Sequence, residues 1–250
     1  MSTGNTHIRL TNVSLDVPVN IVNDLRTGGG WHSLLAASIL RRPNRQFARI
    51  LDKINLEMSS GDRIGLIGRN GAGKTSLLHV LTGAYRPTTG VCDIVGQRKA
   101  LMNISLGLNP NATVYENIFL RGIASGMTTR QLRDHMEDII SFSELSEKLG
   151  SPLYTLSSGQ RMRLAFSIST ALPSEIVIMD EWIGAGDAHF IKRAKQRLLD
   201  RLQGSQIVVL ASHNNSIIKE VCNRAVLLSK GAIVFDGSVS DTIERYGASA

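Results

Sequence analysis

Arg63-Ile64-Gly65-Leu66-Ile67-Gly68-Arg69-Asn70-Gly71-Ala72-Gly73-Lys74-Thr75-Ser76-Leu77-Leu78-His79-Val80-Leu81 decides the fold. Arg63 to Ile67 reads as a buried strand, and it runs directly into a glycine-rich loop followed by the helical Ser76 to Leu81. Gly68 to Thr75 matches the phosphate-binding P-loop pattern, and a strand before with a helix after is the setting in which that pattern works. The glycines let the backbone wrap around phosphates with its N–H groups inward, and the helix contributes its positive end. Lys74 meets the β- and γ-phosphates, while Thr75 offers a hydroxyl to Mg²⁺. Gly68, Arg69, Asn70, Gly71, Ala72, Gly73, Lys74, Thr75 and Ser76 are therefore the candidate nucleotide-binding residues.

Upstream, Ile8 to Val17 alternates apolar and polar residues with a phase shift near Thr11, which suits a half-buried strand, and Ile50 to Met58 reads as another. Between them Gly28-Gly29-Gly30 leads into Trp31, Leu34, Leu35 and Ile39 at helical spacing, closed by Arg41-Arg42-Pro43. That segment predicts a short amphipathic helix with a basic end, in an insertion over about residues 25–49. Downstream, Thr128 to Leu149 is charged and helical in period, and Ile176 to Met179 and Ile207 to Ala211 are continuous apolar strands. Strands alternating with helices imply an α/β fold around a mostly parallel central sheet, in one domain spanning residues 1–250.

Ile176 to Met179 ends in Asp180-Glu181, which puts one carboxylate near the P-loop to hold Mg²⁺ through water and leaves Glu181 to polarise an attacking water. Leu156-Ser157-Ser158-Gly159-Gln160 leads a helix whose start, rich in hydroxyl and glycine residues, is an anion site. With these motifs in this order the chain resembles the ATP-binding subunits of ABC transporters, whose hallmark Leu-Ser-Gly-Gly-Gln is matched except that Ser158 replaces the first glycine. The resemblance runs over roughly residues 8–245 and implies a P-loop NTPase domain of the ABC type, with an antiparallel β subdomain and a helical subdomain at about 110–165. It implies ATP and Mg²⁺ as ligands, with Lys74, Glu181 and His213 catalytic, His213 standing in Ala211-Ser212-His213-Asn214 where the family has its switch histidine. Ser157, Ser158, Gly159 and Gln160 would contact the nucleotide, and Asp187 stands where the family has its D-loop aspartate. Phe47 is the aromatic nearest the position that stacks on adenine, with a core role equally open. Where the family has its Q-loop glutamine, Asn103 and Ser105 are the polar residues, and Asn103 joins Thr75 and Asp180 as a candidate metal position.

One P-loop and one Leu-Ser-Ser-Gly-Gln per chain imply, through the resemblance, a homodimer with two composite sites and a separate integral membrane permease. The insertion at 18–49, the stretch Leu101 to Pro110, Gly186-Asp187 and Ser158 are similar to the ATPases of bacterial polysaccharide exporters, which move O-antigen, capsule or teichoic acid chains. The expectation is then a peripheral subunit at the cytoplasmic face of the inner membrane, powering export of a lipid-linked polysaccharide through the permease. The alternatives are a drug-efflux or import ATPase of the same family, or a soluble ABC-type ATPase, which would be expected to carry a second nucleotide domain or a long coiled-coil insertion. Arg41, Arg42, Arg45 and Arg49 follow the amphipathic segment, an arrangement that suits an anionic membrane surface or a phosphorylated lipid-linked sugar, against the plainer possibility that the apolar stripe packs on the domain's own sheet.

Composition sets the outer bounds. A chain of 250 residues, 42% hydrophobic and 20% charged, is of ordinary globular make-up, and apolar runs such as Ile207 to Ala211 are far shorter than a membrane span. No secretory signal is visible at Met1 to Asn5, so residence in the cytoplasm is expected. Cys92 and Cys222 have no metal-ligand spacing and read as reduced, semi-buried residues. The net charge of +7 fits phosphate ligands, nucleic acid or an anionic membrane alike; the motifs select phosphate and leave no nucleic-acid partner.

Overall fold

β1 (His7–Val19) carries the phase shift that its sequence shows. Ile8 and Leu10 are buried in one phase, Val13 and Leu15 in the other. The register against β2 (Gln46–Ser59) slips between the pairs Leu10↔Leu56 and Val13↔Ile54, and Asn12 takes up the extra residue at φ 50° while its N–H donates to Asn55 Oδ1 at 2.9 Å. Asparagine is among the few side chains that tolerate that left-handed backbone. At the far end Val19 pairs with Gln46, so the chain leaves and re-enters on adjacent strands.

The computed structural model describes residues 6–19, 46–102, 107–181 and 187–248. The amphipathic segment Trp31 to Ile39, with Arg41, Arg42 and Arg45, lies outside the described residues, as do Asn103 and Ser105. Arg49 does not belong to a basic helix end. It is a residue of β2, placed opposite Asp16, to which it donates from Nε at 2.9 Å and Nη2 at 3.2 Å, while Nη1 reaches Asp52 at 3.2 Å. Directly opposed opposite charges are a favoured cross-strand pair, which is why the strand starts earlier than its apolar residues suggest.

After β2 come β3 (Arg63–Ile67), α1 (Lys74–Thr82), β4 (Thr89–Val95), β5 (Arg98–Leu101), α2 (Val114–Ala124), α3 (Thr129–Asp134), α4 (Met136–Ser143) and α5 (Ser158–Ser169). They are followed by β6 (Ile176–Asp180), α6 (Ala188–Gln203), β7 (Ile207–Ala211), α7 (Asn215–Val221), β8 (Arg224–Ser229), β9 (Ala232–Gly237) and α8 (Val239–Ala248). β4 completes an antiparallel sheet in the order β2-β1-β4; the second sheet runs β5-β6-β7-β3-β8-β9 and is parallel except for β9.

The central strands β6 and β7 are continuous apolar runs, broken only by Asp180 at the end of β6, because both their faces are covered. Ile176, Ile178, Ile207 and Val209 point into a core shared with β1, β2 and α1, whereas Val177, Met179, Val208 and Leu210 face the other way, toward Phe190, Ala194, Leu198 and Leu202 of α6. Helices α2 to α5 bury a third cluster that includes Val114, Ile118, Leu132, Ile139, Leu164 and Ile168. Cys92 is half-buried and Cys222 buried; both are free, and burial pushes the Cys222 thiol up to about 12, which makes it a poor nucleophile.

Cations close the C-terminal end of α5. Arg201 donates to the carbonyls of Thr170 at 2.9 Å and Ala171 at 3.0 Å, and Lys99 Nζ to that of Leu172 at 3.0 Å. Burial, then the charges of Arg201 and Arg197, push the Lys99 ammonium down from 10.5 to about 8. The folded protein therefore loses this proton before the unfolded chain does, and stability should rise with pH across that window. Between pH 7.5 and pH 10, wild type is expected to gain on the order of 2 kcal/mol relative to Lys99→Met in urea denaturation. A gap that does not change with pH would show that Lys99 does not titrate there.

Candidate active site

β3 is held between β7 and β8, with Ile64, Leu66 and Ile67 buried, so the loop that leaves it starts from a fixed point. A side chain at Gly68 would put its Cβ 2.4 Å from the Leu228 carbonyl oxygen. Gly73 caps α1 at φ 105°, a conformation open to glycine and strained for other residues. These two positions explain why the loop needs glycine at its beginning and its end.

Lys74 opens α1 and is 8% exposed. Its ammonium folds back along the loop and donates to the carbonyls of Gly68 at 2.6 Å and Arg69 at 3.1 Å. Burial holds its pKa below the usual lysine value, with Glu181 and then Asp180 acting in the opposite direction. Thr75 Oγ1 donates to Asp180 Oδ2 at 2.8 Å, bringing together the first turn of α1 and the end of β6. A hydroxyl and a carboxylate side by side are hard oxygen donors of the kind Mg²⁺ takes together with substrate phosphates, so these residues fit that ion. Ser76 is half-buried behind them.

Glu181 stands just past β6 at φ 64°, its N–H donating to the carbonyl of Ala211 at 2.8 Å. Its carboxylate accepts from Ser212 Oγ at 3.2 Å and from the His213 backbone N–H at 3.2 Å, and His213 Nε2 lies 3.9 Å from Glu181 Oε1. About half of each of these two side chains is exposed, so the pair remains open to solvent and ligand. The sequence motif marks His213 and not its neighbour Ser212. Its position at the end of an apolar strand, beside a candidate catalytic residue, was the available signal.

Ser157 is the N-cap of α5. Its hydroxyl accepts from Gln160 N at 3.2 Å, and Gln160 Oε1 accepts from Ser157 N at 3.1 Å, so the two form a capping box. The Gln160 side chain is thus turned onto its own helix and also accepts from Lys148 at 3.4 Å, while Ser157 and Ser158 are exposed. Among the described residues no hydrogen bond or ion pair joins Ser157, Ser158, Gly159 or Gln160 to the P-loop or to Glu181. The structure brings Lys74, Thr75, Asp180, Glu181 and His213 to one place and leaves the Ser157 helix start elsewhere on the chain.

Asp187 caps α6, accepting from Phe190 N at 2.9 Å, and also pairs with Arg163. The Phe190 hydrogen bond above all, helped by Arg163, holds its carboxyl below the usual range. Phe47 lies in β2 opposite Pro18 and is 61% exposed, which removes the core alternative and leaves a ring available for stacking.

A family model described as "ABC transporter" matches residues 51–184. The chain is 36% identical over 228 residues to the O-antigen export system ATP-binding protein RfbB of Myxococcus xanthus, covering 88% of this chain and 52% of that protein. It is 39% identical over 183 residues to the O-antigen export system ATP-binding protein RfbE of Yersinia enterocolitica, covering 73% of this chain and 77% of that one. With the teichoic acids export ATP-binding protein TagH of Lactococcus lactis it shares 33% identity over 78% of this chain and 42% of that one. The chain thus spans about half the length of the Myxococcus relative. In fold it is similar to a dimeric ATP-binding cassette, MJ0796, solved after hydrolysis with ADP and phosphate, at a TM-score of 0.68 and 18% identity over 93% of this chain and 98% of that one. The ATP-binding subunit of another ABC transporter superposes with a TM-score of 0.70 at 18% identity, over 96% and 93% of the two chains.

Proposed function

Since this chain belongs to the ABC transporter family, we propose that it is the ATP-hydrolysing subunit of an exporter that moves a lipid-linked polysaccharide of the O-antigen, capsule or teichoic acid kind across the cytoplasmic membrane. The observation that carries the hydrolytic part is the meeting of the two strand-end carboxylates with the P-loop: Asp180 on Thr75, and Glu181 held by Ser212 and the His213 backbone. Export of polysaccharide rests on the relatives, whose names are those of O-antigen and teichoic acid export proteins.

In this reading the backbone N–H groups of Gly68 to Thr75 hold the phosphates, and Lys74 exchanges its carbonyl partners for β- and γ-phosphate oxygens. Thr75 and Asp180 would hold Mg²⁺, which when bound offsets charge on those oxygens; Asn103 is the third position proposed for it. Glu181 orients the attacking water, with its carboxylate fixed from two sides, and His213 reaches the γ-phosphate. Ser157 and Gly159 of a second copy complete the site, which accounts for their separation from the P-loop within one chain. Phe47 stacks on the adenine, and Arg69, Asn70 and Ala72 line its phosphate end.

No helix among the described residues is long and apolar enough to cross a membrane. In this reading the permease is a separate protein, and its landing site is the outer face of α2, where Tyr115, Leu120 and Ile123 are each about half exposed and Tyr115 lies against Phe119 at 5.2 Å. The test is purification of the full chain from detergent-solubilised membranes of its own cells. Wild type is expected to bring down an integral membrane protein, and Leu120→Glu with Ile123→Glu to lose it while hydrolysing ATP at the basal rate. Recovery of wild type free of membrane protein, or unaltered surface polysaccharide in cells lacking the gene, would overturn the reading.

A further inference from the structure

Behind the P-loop, residues 69–72, the end of β8 and the last turn of α8 enclose a hollow of about 470 Å³, a size that holds small ligands. None of Lys74, Thr75, Asp180, Glu181, His213 or Phe47 lines it. Two of its walls, Leu227 and Tyr246, belong to the core on the α6 side of the sheet, whereas α1 and β2 pack on the other face. Leu228 and Val234 add apolar surface, and Val234 is the extra residue of a bulge in β9 and 56% exposed. The rim is cationic. Arg69 and Lys230, both exposed, line the hollow and no aspartate or glutamate does; among the described residues neither side chain has a hydrogen bond or an ion pair.

Lys230 and Gly231 form the two-residue turn between β8 and β9, at φ 47° and 80°. Such turns favour asparagine or aspartate ahead of glycine, so the turn itself does not require lysine. A lone surface lysine would simply be solvated, but two cations without acidic partners beside an apolar hollow complement an apolar molecule with a doubly charged phosphate head. The turn is also tied to the P-loop: Gly231 N–H donates to the Ala72 carbonyl at 3.0 Å, while the Arg69 carbonyl accepts from Lys74 Nζ at 3.1 Å. An anion on Arg69 and Lys230 therefore sets negative charge directly behind the loop that holds the phosphates of ATP, and the two repel. We propose that the hollow is a regulatory site for a small amphiphilic phosphate monoester, its apolar body between Leu227, Val234 and Tyr246 and its head on Arg69 and Lys230, and that its binding weakens that of ATP. The effect on ATP rests on the proposed nucleotide site; the hollow itself does not.

The test is calorimetric titration of the full chain with geranyl phosphate, with and without ATP, beside thermal melting. Wild type is expected to take up one geranyl phosphate per chain, displaced neither by geraniol nor by inorganic phosphate at equal concentration. Lys230→Asn keeps a left-handed turn but loses the charge, and should weaken binding of the probe by about 10-fold or more. Val234→Trp, which fills the hollow from an exposed position, should abolish it. Both variants should melt and hydrolyse ATP as wild type does. Lys74→Ala should still bind the probe, since that residue does not line the hollow. Saturating geranyl phosphate should raise the Kd for ATP at least about 5-fold, and ATP should raise that of the probe by the same factor. A wild type that takes up no probe, displacement by inorganic phosphate, Val234→Trp binding like wild type, or loss of the probe in Lys74→Ala overturns the site. A bound probe that leaves ATP affinity unchanged overturns the regulation. A wild type that binds geranyl phosphate but no ATP upholds the hollow and overturns the nucleotide reading instead.

Discussion

Glu181→Gln is expected to bind ATP and Mg²⁺, to form a persistent dimer, and to release phosphate at least about 10²-fold more slowly than wild type. The amide's carbonyl oxygen can keep the hydrogen bond that arrives from the His213 N–H, and its NH2 can donate to Ser212 Oγ, from which the carboxylate accepts. It removes the charge that orients the water and receives its proton. Because the substitution leaves Lys74, Thr75 and Asp180 untouched, binding and closure should persist while chemistry stops, so a species of twice the monomer mass accumulates. Light scattering on a sizing column, with and without ATP, reads this directly. A Glu181→Gln protein that remains monomeric at saturating ATP would sink the composite-site account, and one that turns over at the wild-type rate would remove Glu181 from its role.

Lys74→Ala should fail one step earlier. An ammonium on β- and γ-phosphate oxygens makes charge-assisted hydrogen bonds, and removing it should weaken ATP binding by about 10²-fold and abolish detectable turnover. Burial already holds the Lys74 pKa down, so the folded protein bears a cost for keeping this ammonium charged, and its loss should not lower the melting temperature. Fluorescent-nucleotide titration beside a thermal melt separates lost affinity from lost fold. If Lys74→Ala bound ATP as tightly as wild type, the ammonium would not reach the phosphates.

The strands that build the site were legible because burial on both faces keeps their buried stretches apolar: Arg63 to Ile67, apolar from Ile64 onward, and Ile207 to Ala211 read as strands and are strands. The phase shift near Thr11 likewise marked a real bulge. Gln46 to Arg49 escaped because its residues are largely exposed and are held by pairing with β1, a partner that periodicity cannot reveal. Within the site, motif spacing pointed to Lys74, Thr75, Asp180, Glu181 and His213. It did not point to Ser212, whose part depends on a partner 31 positions away. The inward turn of Gln160 did have a local signal, since a serine followed three residues later by glutamine at a helix start is the pattern of a capping box.

The pairing of Val19 with Gln46 makes the join at 19 and 46 a graft point. Twenty-six residues separate those two, and both ends are clamped by neighbouring strands of one hairpin, so the intervening stretch can be exchanged for another without moving either clamp. Closing a longer stretch costs only about 0.6 kcal/mol for each doubling of its length. Lineages sharing this engine are therefore free to diversify what they attach there independently of the nucleotide chemistry, and chimaeras cut at those two positions are the natural way to move one such attachment onto another's engine.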